Sequence, residues 1–281
     1  MRLIWQLVAV VAVAVVGNVT VMAVGSNGPL ALVVGLAAAT LALVVYAWVV
    51  RRTERRALVE LARPGAAPAV ARGTLLGVAL CGAVMTILAL GGGYTVHGLG
   101  SVSGALGVAG LMAVAAVGEE LVFRGLLFGW VERRAGTWVA LGLTSVLFGL
   151  VHLVNPNASL WGAVAITVEA GTMLGAAYIA TRRLWLPIGL HFGWNVALGG
   201  LFGAEVSGSG TSAGLLDATL SGPAWATGGS FGPEGSLYAV LCCAATAVVF
   251  LAVARRRGRI VPRRRADRGD LSGDLAATLS R

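Results

Sequence analysis

The chain has 281 residues, of which 57% are hydrophobic and only 12% charged, whereas soluble domains carry roughly a quarter charged residues. That deficit excludes an ordinary soluble domain, and apolar runs close to the roughly 20 residues that cross a bilayer indicate a polytopic membrane protein. The net charge of +9 would suggest nucleic acid in a soluble chain. Here the placement of the arginines accounts for it, and no nucleic-acid partner is expected.

The predicted fold is all-α, a bundle of about eight transmembrane helices over 3–24, 29–50, 73–95, 104–130, 137–154, 160–181, 186–202 and 236–254. The first run is too long for the apolar core of a signal peptide and is retained as a helix. The connectors alternate in charge. RRTERR (51–56) with Arg63 and Arg72, ERR (132–134), Arg182–Arg183 and the tail from 255 are basic, and lysine is absent throughout. SNGP (26–29), HGLGSVS (97–103), NPNAS (155–159) and 203–235 contain no arginine. By the positive-inside rule both termini are cytoplasmic. The expected organisation is an integral-membrane domain over 1–254 and a basic cytoplasmic tail over 255–281, which can touch anionic lipid. Residues 203–235, rich in Gly, Ser and Thr, read as a long external loop with the composition of a mobile segment. Cys81, Cys242 and Cys243 fall in predicted spans with no metal or disulfide spacing and read as small buried hydrophobes. Glycine pairs four apart, including Gly73/Gly77 and Gly189/Gly193, allow close helix approach.

Six ionisable residues fall within the spans: Glu119, Glu120, Arg124, His152, Glu169 and His191. Each charge at the bilayer centre costs at least about 2.5–3.5 kcal/mol, so a functional use is the first expectation and a buried ionic lock between helices the alternative. In GEELVFRG (118–125), Glu120 and Arg124 are four apart with the acid first, the favourable order for an ion pair. Glu119 is rotated roughly 100° from Glu120 and lacks that partner. A carboxylate so placed suits a general base. FGLVH (148–152) sets Phe148 and His152 on one face of the fifth helix, and HFGWN (191–195) does the same for His191 and Asn195 on the seventh. The His191/Asn195 pair can donate two hydrogen bonds toward one point, as an oxyanion site requires. Glu119 with His152 can deprotonate a water, or the two can bind a divalent metal that activates it. Glu169 reads either as support for one of the histidines or as part of a separate polar network. His97 lies in an external connector and has no assigned role.

Other protease chemistries are absent from the sequence: there is no HExxH, no GxSG turn and no lysine for a Ser-Lys dyad. The aspartates, Asp217, Asp267, Asp270 and Asp274, all lie outside the spans.

EELVFR (119–124) fits EExxxR, FGLVH fits FxxxH and HFGWN fits HxxxN. In this order on successive predicted helices, the set resembles the CPBP family, the CAAX-protease and bacteriocin-processing intramembrane proteases, over a core of about 104–202. The resemblance implies an intramembrane endopeptidase in which Glu119 and His152 activate the attacking water and His191 and Asn195 stabilise the oxyanion. Glu120, Arg124 and Phe148 would complete the motifs as supporting residues. If a metal such as zinc is used, Glu119, His152 and His191 are its expected ligands. The expected partners are a peptide or membrane-protein substrate and the lipid bilayer. The arginine-, alanine- and glycine-rich composition points to the plasma membrane of a high-GC bacterium, where prenylated CAAX proteins are not expected substrates. Two other readings use the same polar cluster. One is a non-catalytic membrane scaffold or bacteriocin-immunity protein, and the other a proton-coupled transporter relaying through Glu119, Glu120 and Glu169. With straight helices over these spans, His191 falls near the cytoplasmic end of its helix and His152 near the external end of its own. Pro187 and NPN (155–157) are the places where those depths can shift.

Overall fold

A computed structural model describes residues 1–263; the rest of the basic tail lies outside the described residues. Apolar sequence is made helical because a membrane leaves no water to satisfy backbone N–H and C=O groups. The helices are α1 (Arg2–Ala23), α2 (Gly28–Glu54), α3 (Ala66–Leu90), α4 (Val102–Ala135), α5 (Thr137–Val151), α6 (Leu160–Thr181), α7 (Trp185–Asn195) and α8 (Leu237–Arg256). Among the described residues, seven helices are long and apolar enough to cross a membrane, so the chain is a polytopic helical bundle. The predicted span over 186–202 is α7 continued by a π-helical stretch Val196–Leu201. It is helical but too short to count among those seven.

Hydrogen bonds sort the connectors into two ends. At the arginine-bearing end, Arg182 pairs with Glu132 at 2.6 Å, Arg56 with Glu60 at 2.7 Å, and the Leu184 N–H donates to the Glu60 carbonyl at 2.9 Å. The starts and ends of the described chain meet there: Gln6 donates to Thr53 at 2.7 Å, and Thr137 N–H donates to the Val261 carbonyl at 3.0 Å. At the arginine-free end, strand β1 (Tyr94–Leu99) pairs antiparallel with β2 (Leu216–Leu220). Asn155 donates to the Ser207 carbonyl there at 2.7 Å, and the Gly28 N–H to Ser103 Oγ at 3.0 Å.

The segment 203–235, expected as a free external loop, is instead built into the fold as a cap. Besides β2, it carries a short helical turn, Ala224–Thr227, and the buried Glu234, which accepts from the Ser207 N–H, from Ser207 Oγ at 2.8 Å and from Trp194 Nε1 at 3.1 Å. Composition alone missed it because the cap's stability lies in these long-range pairings. His97 sits in β1, with its ring nitrogen 2.9 Å from Thr219 Oγ1.

Glycines set the position of α7. A Cβ at Gly73 would lie 2.4 Å from the Leu186 carbonyl oxygen and one at Gly77 2.3 Å from that of Leu190. A Cβ at Gly189 or Gly193 would lie 2.2 Å from a backbone oxygen of α3. The two backbones therefore run parallel in direct contact, as small-residue pairs permit in membranes. Gly77→Val is expected to force them apart and destabilise the bundle by about 2 kcal/mol or more. The measurement is the thermal midpoint of detergent-solubilised protein, and an unshifted midpoint would refute the close-approach account.

Candidate active site

Three π-helical stretches flank the polar residues: Leu121–Phe128 follows Glu119 and Glu120, Thr167–Thr172 contains Glu169, and Val196–Leu201 follows Asn195. Such stretches admit an extra residue per turn and re-aim side chains, and they are frequent at functional sites.

In α4, Arg124 Nη1 donates to Glu120 Oε1 at 2.6 Å, with both side chains almost fully buried. The second Arg124 nitrogen donates to the carbonyls of Ala170 at 3.1 Å and Gly171 at 2.9 Å, tying α4 to α6. The ion pair expected from the i,i+4 spacing is thus formed. Glu120 Oε1 also lies 3.1 Å from His191 Nδ1. A carboxylate held by arginine is an acceptor, so His191 Nδ1 carries the hydrogen. The other ring nitrogen, Nε2, lies 3.9 Å from Glu119 Oε2. Glu119 has 31% of its side chain exposed, and its Oε2 has no hydrogen-bond partner among the described residues.

His152 follows the last residue of α5, and its Nδ1 lies 2.7 Å from the Phe148 carbonyl. A carbonyl only accepts, so Nδ1 donates and Nε2 is left with the lone pair. Phe148 is fully buried between the two histidines, with ring centroids 4.9 Å from His152 and 6.0 Å from His191, and Arg124 sits 4.7 Å over its face. Phe148 thus acts as a spacer between α5 and α7.

Glu119, His152, His191 and Asn195 line one cavity of about 350 Å³. The depth mismatch expected from straight spans is overturned for two reasons. Helix α5 has 15 residues, about 22 Å at 1.5 Å per residue, less than the roughly 30 Å hydrocarbon core. His152 therefore stands at the end of a short helix, next to the residues that hydrogen-bond to the cap. Helix α7 is carried alongside α3 by the glycine contact, which raises His191 from the arginine-bearing end.

Glu169 hydrogen-bonds to neither histidine. Its Oε1 lies 3.8 Å from Cys243 Sγ and its Oε2 has no partner among the described residues. It lines a water-sized pocket of about 10 Å³ that it shares with His152, His191 and Asn195 of the site and with Glu234 of the cap. Burial pushes the Glu234 carboxyl above its ordinary range, because the cap isolates it from water. Sequence reasoning missed Glu234 by assigning it to a loop, and it missed Asn18 of α1, which lines the main cavity. The only local signal for Asn18 is a carboxamide within an apolar helix.

Among the described residues, no group of three or more His, Cys, Asp or Glu side chains is arranged to hold an ion. His191 is turned to Glu120 through one nitrogen and to Glu119 through the other.

The stretch holding this geometry is also the stretch with known relatives. Residues 101–197 match the family described as type II CAAX prenyl endopeptidase Rce1-like. The resemblance to the CPBP family stands. Over 77 residues the chain is 31% identical to a Bacillus subtilis (strain 168) protein named "Putative membrane peptidase YdiL", covering 27% of this chain. The chain spans 29% of the length of that relative. No solved structure matches. The Rce1-like segment thus supplies α4 to α7 and all four cavity side chains. Helices α1 to α3, the whole cap and α8 lie outside it.

Proposed function

We propose that the chain is an intramembrane endopeptidase that hydrolyses a peptide bond in a peptide or membrane-protein substrate. The reading rests on one observation above all: Glu119, His152, His191 and Asn195, from three helices, line a single cavity. A water between the free Glu119 oxygen and His152 Nε2 loses a proton to Glu119 as its oxygen attacks the scissile carbonyl carbon. The negative charge that develops on the carbonyl oxygen is met by the Asn195 carboxamide and by His191. With Nδ1–H already held by Glu120, His191 can donate through Nε2 only as the imidazolium. On collapse the C–N bond breaks and Glu119 returns the proton to the leaving amine. One water is consumed and Glu119 is regenerated. Arg124 and Glu120 are positioning residues, and Phe148 keeps the two imidazoles apart.

The test uses purified full-length protein in detergent with a peptide library, read by mass spectrometry. The expected result is cleavage at a reproducible set of bonds, with rates changed by less than about twofold by a chelator, since general acid–base groups supply the base. Loss of activity on chelation, restored by zinc, would overturn the metal-free route. Absence of cleavage would return the polar cluster to a scaffold or transporter role.

A further inference from the structure

The cavity is asymmetric along the membrane normal. Its inner part carries Glu119, His191 and Asn195, while its outer part is walled by Asn18 and Met22 of α1, by Val154 after α5, and by Ser209 and Thr211 of the cap. Every connector around the outer part belongs to the arginine-free end. The side wall is incomplete: Met22, Val151 and Val154 line the cavity yet are 70%, 47% and 86% exposed. Helix α1 packs on α2 and α4, and the cavity is open between α1 and the end of α5.

Two polar atoms in this outer part lack partners among the described residues. Asn18 Nδ2 donates to the Ala14 carbonyl at 3.0 Å, and its Oδ1 accepts no hydrogen bond from the described residues. Ser209 Oγ is buried without a partner among the described residues. A buried hydroxyl left unpaired is costly unless a ligand meets it, and the half-buried Asn18 leaves its oxygen open to the cavity as a free acceptor. Ala14 packs against Gly118, so Asn18 lies one helical turn, about 6 Å, outward from the level of Glu119. Two residues of extended peptide span about that distance.

We infer that the cavity takes an extended peptide segment from the arginine-free face, through the gap between α1 and α5, and that Asn18 holds its backbone by accepting an amide N–H about two residues from the scissile bond. The substrate class is then an exported or membrane-inserted polypeptide presented at the outer surface, since the positive-inside rule places the arginine-free face outside. The scissile bond rests on the peptidase reading; the side of access does not.

The access experiment needs no activity. Asn18→Cys, with Cys81, Cys242 and Cys243 replaced by alanine, is treated in intact cells with a membrane-impermeant methanethiosulfonate reagent. Arg52→Cys serves as the opposite-face control, and Thr211→Cys reads the same opening should Asn18→Cys fail to fold. Labelling of the cavity cysteine in intact cells is expected, with Arg52→Cys labelled only after permeabilisation. The reverse pattern, or no labelling of either cavity cysteine in folded protein, overturns the outer opening. In detergent, with a library peptide that wild type cleaves, Asn18→Leu is expected to raise KM roughly fivefold and to change kcat less than twofold. An unchanged KM removes Asn18 from the substrate contact. Failure of wild type to cleave any peptide defeats the peptidase reading and leaves the labelling to decide the side of access.

Discussion

Glu119→Gln is expected to lower peptide-bond cleavage by ~10³-fold, the scale of a lost general base, with KM nearly unchanged. The substitution keeps the shape of the side chain and removes its ability to take a proton. It should fold normally, because Glu119 Oε2 has no hydrogen-bond partner among the described residues and part of the side chain already faces the cavity. A thermal midpoint within a few degrees of wild type, together with lost turnover, separates chemistry from unfolding. Glu119→Gln cleaving at the wild-type rate would remove Glu119 from the mechanism.

The neighbouring acid should behave in the opposite way. Arg124→Met leaves the Glu120 carboxylate buried without its cation and frees the Ala170 and Gly171 carbonyls. Breaking one side of a buried pair costs about 3–5 kcal/mol, so a fall in thermal midpoint on the order of 10 °C is expected. Activity should fall with it, because Glu120 also holds His191 Nδ1. The double variant Glu120→Gln/Arg124→Met removes both charges and keeps a carbonyl acceptor for His191. It should recover at least half of the lost stability, since replacing a whole buried pair is far cheaper than orphaning one member. A double variant no more stable than Arg124→Met would show that the cost is steric.

Local spacing made much of this legible. The i,i+4 order of Glu120 and Arg124 anticipated their ion pair, and the 100° offset of Glu119 anticipated its separation from Arg124, because helical periodicity acts over one turn. The glycines at 73, 77, 189 and 193 suggested close packing, but only the structure shows that these two pairs meet each other. Glu169 was equally visible as an intramembrane acid. That its hydrogen-bond partner is Cys243 of α8 and neither histidine was decided by how α6 packs on α8.

By itself, the sequence determined the polytopic helical class and the alternation of arginine-bearing and arginine-free connectors. It also determined the three short motifs, since membrane partition and helical period depend on neighbours in the chain. Tertiary structure decided what lies far apart in sequence. The short α5 and the glycine-seated α7 bring His152 and His191 to one cavity, and β1 pairs with β2 to make a cap of what reads as a loop. The placement of Asn18 and Glu234 beside the site was likewise decided there. Those outcomes rest on side-chain volume and hydrogen bonds between segments separated by scores of residues, which no local pattern encodes.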